Sequence, residues 1–279
     1  RGPYVEADKA CIGTADEVKT LSRDEINRRI RESFRYDDFR WQRERGIVID
    51  HPERARGLHS LLYKCARCGA EGRMESGGTE LWCPDCGARW EMKTDGSLEA
   101  ADGGETVFSH IPDWSAWERE CVRREIRDGS YRFEDTVRIE TLPGWKKFYS
   151  QGEGRLIQTP EGTVIEVPNY YGKGPLTVEK KPRDLPLMKR LGVLAKRKFI
   201  HDINLIRNIK YCIDKLGTVF VLFPEARYSL DGCTSYLPDS LGSLARMLKV
   251  PVVTLAIHGN FITCPQWNKI NKGSYVEAD

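Results

Sequence analysis

Cys65-Ala-Arg-Cys68-Gly69 and Cys83-Pro-Asp-Cys86-Gly87 are two matching knuckles separated by fourteen residues. Two Cys-x-x-Cys pairs at this distance suit a four-cysteine tetrahedral zinc site. Gly69 and Gly87 follow the second cysteine of each pair, where the backbone must turn its amides toward the thiolates and a residue without Cβ is favoured. Ser76, Gly77 and Gly78 can close a hairpin whose strands carry Cys65, Cys68, Cys83 and Cys86 to the metal. Four thiolates saturate zinc and leave no position for water, so the expected role is structural. A redox pair is the alternative for one Cys-x-x-Cys, but two with knuckle glycines favour metal. Arg67, Arg73, Arg89, Trp82 and Trp90 offer charge and stacking surface to a nucleic acid. A small ribbon also needs its tryptophans for a core, so nucleic acid is not favoured as a partner.

Outward from the ribbon, Ser22 and Glu25 stand at capping-box spacing ahead of Ile26, Ile30 and Phe34, predicting an amphipathic helix over 22–45 with an Arg-rich face. A short helix is expected over Glu53–Tyr63, and another from Trp114, capped by Asp113, to Asp128 and Gly129. Residues 131–139 alternate like a strand, and Arg155–Val167 reads as a hairpin turning at Pro160, Glu161 and Gly162. Asn169–Asp184, rich in Gly, Pro and Lys, reads as an exposed linker. Beyond it, Ile203, Ile206, Ile209, Ile213 and Leu216 predict a helix that Gly217 stops. A buried strand over Thr218–Phe223, a helix over Ser240–Lys249 and a second buried strand over Pro251–Ile257 should follow. That order predicts a parallel βαβ unit with its functional loop at the end of the first strand.

The 279 residues are 40% hydrophobic and 30% charged, with seven Trp and eleven Tyr, which excludes a disordered chain. Net charge is only +3, although Arg is frequent in 23–56 and 119–132; the plainer reading of those runs is a solvated face. Val219–Phe223 and Val250–Ile257, the longest apolar runs, fall well short of the roughly 20 residues needed to span a bilayer. No secretory signal is visible, and paired cysteines suit a reducing compartment, so the expected location is cytoplasmic, extending to the inner face of the membrane.

The loop at the end of the first expected strand carries a more specific pattern. Phe223-Pro224-Glu225-Ala226-Arg227-Tyr228-Ser229 resembles the Phe-Pro-Glu-Gly-x-x-Ser block of the 1-acylglycerol-3-phosphate acyltransferase family. Gly192-Val-Leu-Ala-Lys196-Arg197 is similar to that family's Gly-to-Arg block, and Val250-Pro251-Val252-Val253 to its Val-Pro block. The resemblance covers residues 183–268, about half of such a domain, and 17–165 resemble the C-terminal extension of some bacterial members. It implies an acyl thioester donor, acyl-CoA or acyl-carrier protein, a lysophosphatidate-like glycerophospholipid acceptor and a peripheral membrane contact. It also implies acceptor binding by Arg197, Glu225, Arg227 and Ser229. An Arg fork suits a phosphate dianion, and a neighbouring Glu can accept a glycerol hydroxyl or hold Arg227. The family's general base is the His of a His-x4-Asp pair, and this chain lacks it. The residues five positions after His51, His59, His110, His201 and His258 are Arg56, Lys64, Ser115, Ile206 and Thr263. His258 reads as a histidine packed at a strand end.

Tyr4-Val-Glu-Ala-Asp8 recurs as Tyr275-Val-Glu-Ala-Asp279. With the ribbon standing ahead of the acyltransferase-like part, the segment order resembles the family's in rotated form. The expected organisation is a helical segment (1–63), the ribbon (64–95), a helix with a β-rich patch (96–168), the linker (169–184) and a partial acyltransferase domain (185–279). The expected fold class is α/β: a partial acyltransferase-like βαβ domain joined to an α+β region that holds the zinc ribbon.

Overall fold

The computed structural model describes residues 6–142, 147–181, 203–225, 229–263 and 265–268. It is a mixed α/β structure that divides into two units, one of residues 1–118 with 199–279, the other of residues 119–198.

In the first unit, strand β1 (Glu6–Gly13) leads into α1 (Ala15–Thr20), α2 (Arg23–Ser33) and α3 (Asp38–Glu44). Thr14 caps α1 in a full capping box with Glu17. Ser22 caps α2 by accepting the Glu25 amide, but the Glu25 carboxylate turns to Arg28 and Arg29 instead of closing the box. The single helix expected over 22–45 is interrupted at Tyr36. There the backbone is engaged elsewhere: Tyr36 N–H donates to Thr234 Oγ1 (3.0 Å) and Tyr36 C=O accepts from Thr234 N–H (3.3 Å). Asp37 then caps a new helix through the Arg40 amide.

The helix expected over Glu53–Tyr63 reduces to turns and one 3-10 turn, Leu58–Ser60. Gly57 explains this: its φ is +84°, and a Cβ there would stand 2.0 Å from the Trp267 carbonyl oxygen. The ribbon forms an antiparallel meander of β2 (Glu75–Gly77), β3 (Glu80–Trp82), β4 (Arg89–Met92) and β5 (Leu98–Ala100). Helix α4 (Ile111–Asp128) begins in this unit and packs Trp114 edge-on to Trp90, centroids 4.9 Å apart. Asp113 lies in its first turn instead of capping it, and Gly129 (φ +81°) follows its end.

The second unit holds an antiparallel meander of β6 (Phe133–Thr141), β7 (Tyr149–Thr159), β8 (Gly162–Val167) and β9 (Leu176–Lys180). The expected hairpin turn at 160–162 is there. Strand β9 falls inside the stretch read as a linker, because Leu176 and Val178 continue the sheet opposite Val167 and Ile165.

Helix α5 (Ile203–Leu216), α6 (Ser240–Leu248), β10 (Val252–His258) and the short α7 (Asn260–Thr263) belong to the first unit. Residues 218–223 form no strand: Val219, Val221 and Phe223 are 89%, 69% and 82% exposed. The expected parallel βαβ unit is therefore not formed, and no pair of described strands is parallel. An apolar run has strand composition but becomes a strand only beside a partner, and β10 is partnered antiparallel by β1, from Glu6 opposite His258 to Gly13 opposite Val252. β10 is buried on one face only; Val253, Leu255 and Ile257 stay exposed.

Two apolar clusters hold this unit together. One centres on Phe39, Leu58, Leu81, Trp90, Leu98 and Trp114 beneath the ribbon. The other joins Ile12, Val18, Ile26, Ile30, Leu241 and Ala245. Buried Asn27 ties α2 to α6, accepting from Gly242 N–H (2.7 Å) and donating to the Asp239 carbonyl (2.8 Å).

Candidate functional site

The sequence folds the two knuckles alike because each repeats the same backbone bonds. Cys65 N–H donates to Ala70 C=O and Gly69 N–H to Cys65 C=O, as Cys83 N–H does to Ala88 C=O and Gly87 N–H to Cys83 C=O, all at 2.8–2.9 Å. Gly69 (φ +77°) and Gly87 (φ +74°) supply the left-handed turn.

The four sulfurs lie within 4.8 Å of one another, with Cys65 Sγ–Cys86 Sγ and Cys68 Sγ–Cys83 Sγ each at 3.7 Å. That is far beyond the roughly 2.05 Å of a disulfide. It matches the edge of a tetrahedron whose centre lies about 2.3 Å from each sulfur, so the group can hold a metal ion. Cys65 and Cys83 are buried, Cys68 and Cys86 exposed. Burial pushes the Cys65 thiol up to about 12 and raises that of Cys83. The Ala70 amide holds Cys68 below its ordinary value. A cation is what would favour all four as thiolates together.

The support around the cluster is equally specific. Arg67 is clamped by the Asp102 carboxylate and the Glu105 carbonyl, 5.3 Å over the Trp90 ring. Buried Glu118 accepts the Lys64 amide (2.8 Å), and Trp114 Nε1–H donates to the Lys64 carbonyl (2.9 Å), fixing the entry to the first knuckle. None of these contacts was anticipated from sequence; the Arg67–Asp102 pair joins residues whose proximity depends on the whole meander.

Of the residues expected to bind an acceptor, Arg197 and Arg227 lie outside the described residues. Glu225 is half-buried and accepts from the Tyr36 hydroxyl (3.2 Å) and the Ser235 hydroxyl (3.1 Å). Burial and the Glu225 charge push the Tyr36 phenol well above its ordinary value. Ser229 Oγ donates to the Cys233 carbonyl (2.7 Å), in the loop that runs on to Thr234. Tyr36, Thr234 and Ser235 were missed in the sequence, since nothing but the fold brings 36 and 234–235 together.

His258 is buried, stacked on Trp41 with centroids 5.8 Å apart, and set between Asp38 and Asp8, each at 3.3 Å. Burial raises the Asp38 carboxyl, against the opposing bond and charge from His258 and the amides of Phe261 and Gly259. The adjacent Asp37 binds His110 Nε2 (2.7 Å), whose Nδ1 meets Arg43 (2.9 Å). Burial pushes the Asp37 carboxyl up too, but the bonds from His110 and the Arg40 amide outweigh it and hold it below its ordinary value.

The Arg-rich faces are neutralised locally: Arg28 and Arg29 by Glu25, Arg73 by Asp85, Arg89 by Glu80, Arg127 by Glu120. Among the described residues, no helix is long and apolar enough to cross a membrane. Compared with protein-family models, with curated proteins and with solved structures, the chain matches none.

Proposed function

We propose that the chain is a glycerophospholipid acyltransferase homologue, built to bind a lysophosphatidate-like acceptor and stabilised by a structural zinc at Cys65, Cys68, Cys83 and Cys86. The observation that carries the reading is the 223–229 block, whose Glu225 is held by two hydroxyls beside an open groove. Zinc suits the site because four thiolates at tetrahedral spacing leave no coordination position for substrate, and the ion would contribute to folding rather than chemistry.

In such a reaction the acceptor hydroxyl attacks the thioester carbonyl, a C–O bond replaces the C–S bond, and the hydroxyl proton leaves with the thiol. Arg227 and Arg197 would hold the phosphate, and Glu225 the glycerol end. The histidine base of the family is not in this chain, so binding is the part of the function these residues carry. The charge pairing of Arg67, Arg73 and Arg89 speaks against the ribbon as a nucleic-acid surface.

The zinc-loaded chain should bind lysophosphatidate, and Arg227→Ala should weaken that binding at least about tenfold. Turnover of an acyl thioester that vanishes in the variant would mean that another group serves as base. Absence of acceptor binding in both proteins would sink the reading.

A further inference from the structure

Strand β10 has one partner and two edges. Among the described residues it pairs with β1 alone, and no residue from Val252 to His258 makes another main-chain hydrogen bond. The edge away from β1 therefore presents its amides and carbonyls to any strand laid beside it. Such edges are normally shielded by charge or proline, and this sheet has that shield on one side only. β1 carries Glu6, Asp8 and Lys9, with the Asp8 side chain 76% exposed. From Val252 to Ile257, β10 carries neither charge nor proline, and the closing His258 is buried.

The outward face of β10 is apolar as well. Val253, Leu255 and Ile257 are 50%, 55% and 49% exposed, and stand opposite Cys11, Lys9 and Ala7 of β1. Leu222 and Val252 border the same apolar cluster, which brings exposed Val219, Val221 and Phe223 into the neighbourhood of that face. With about 100 Å² for a bared aliphatic side chain and about 200 Å² for Phe, these six offer roughly 500 Å². Two copies together offer about 1,000 Å², the size at which specific interfaces begin. The sequence of β10 favours a second copy as the occupant. About a two-fold axis at Leu255, an antiparallel pair of these strands sets Leu255 opposite the partner's Leu255 and Val253 opposite the partner's Ile257. Every outward pair is then aliphatic, the inward Thr254 meets the partner's Ala256, and all seven residues are paired. A slip of one residue would set outward side chains against inward ones.

We propose that β10 is the seam of a homodimer, in which two copies join edge to edge into one antiparallel sheet of order β1-β10-β10-β1. The charged β1 strands then lie outermost, so the pairing closes at two copies and does not propagate. The seam is independent of the acceptor-binding reading above. Dilution releases the monomer, the form whose apolar face an environment-sensitive dye reaches.

Sedimentation of the full chain over a wide range of concentration should show a monomer–dimer equilibrium. Leu255→Lys lines up four ammonium groups across the seam, counting Lys9 of each copy, and should raise the dissociation constant at least about tenfold. Phe133→Ser, at an exposed aromatic of the second unit, should leave the dimer unchanged. In the unaltered chain, three strand spacings of about 4.8 Å set Lys9 about 14 Å from the partner's Lys9. An amine-reactive crosslinker of that span should join two Lys9 peptides, a link that only two copies can make, and this readout holds even where a variant fails to fold. A chain that stays monomeric, a dimer that survives in a folded Leu255→Lys variant or dissolves in Phe133→Ser, or a dimer without the Lys9–Lys9 link overturns the seam. So does growth into larger assemblies, which would mean that the β1 edge pairs too.

Discussion

At the scale of single residues, Asp37 and Asp38 illustrate how adjacent carboxylates acquire opposite roles. Each meets a histidine from a distant segment, His110 and His258. Asp37 is held below its ordinary pKa, so it contributes stability that is full above the unfolded carboxyl's value of about 4 and is lost as pH falls through the lower folded value. Asp38 is raised by burial, so the sign reverses: its contribution is lost as pH rises through the folded value. Replacing Asp37 with Asn should therefore flatten the acid limb of the stability curve below about pH 4, read from urea midpoints across pH. An acid limb as steep as that of the parent chain would remove the Asp37–His110 pair from the explanation. The cysteines were legible at this scale because ligand spacing is local, and so were the caps at Ser22 and the stop at Gly217. The partners of Glu225 were not, since Tyr36 and Ser235 meet it only through the fold.

Among elements, the joint between α2 and α6 depends on close approach. A Cβ at Gly242 would stand 2.4 Å from the Arg23 carbonyl and 2.8 Å from Asn27 Oδ1, both fixed parts of that joint. Ile26, fully buried beneath it, fills the same layer. Ile26→Ala should cost about 3 kcal/mol in chemical denaturation while leaving metal content unchanged, because its cluster is separate from the one beneath the ribbon. A cost below about 1 kcal/mol would mean that the layer is not packed as described. Periodicity revealed the helices α2, α4, α5 and α6 and the hairpin of β7 and β8, since each presents a repeating apolar face. It failed where tertiary demands prevailed: Thr234 breaks the helix at Tyr36, Gly57 prevents one after Glu53, and residues 218–223 lack a neighbouring strand. Strand β1, half of the β1–β10 pair, escaped notice because Glu6, Asp8 and Lys9 crowd its first half with charge and its partner lies at the far end of the sequence.

For the molecule as a whole, the first unit leaves an unusual amount of apolar surface in water. Val219, Val221, Phe223, Val253 and Leu255 are each half or more exposed, and Ile257 nearly so. Such surface commonly marks a place of interaction. The folded chain should bind an environment-sensitive apolar dye, and serine at 219, 221 and 223 should reduce that binding several-fold without lowering the unfolding midpoint. Unchanged dye binding in that variant would place the apolar surface elsewhere. The ribbon anchors the larger core, with Cys65 and Cys83 themselves among its buried side chains. A metal ion held there would couple its binding to the folding of this unit. X-ray absorption and native mass spectrometry on the freshly purified chain test that claim most directly. One zinc per chain with four sulfur neighbours at about 2.3 Å, and loss of tertiary structure when a chelator removes it, are the predicted results. A chain that folds without metal, or whose zinc carries oxygen ligands in place of cysteine sulfur, would contradict it.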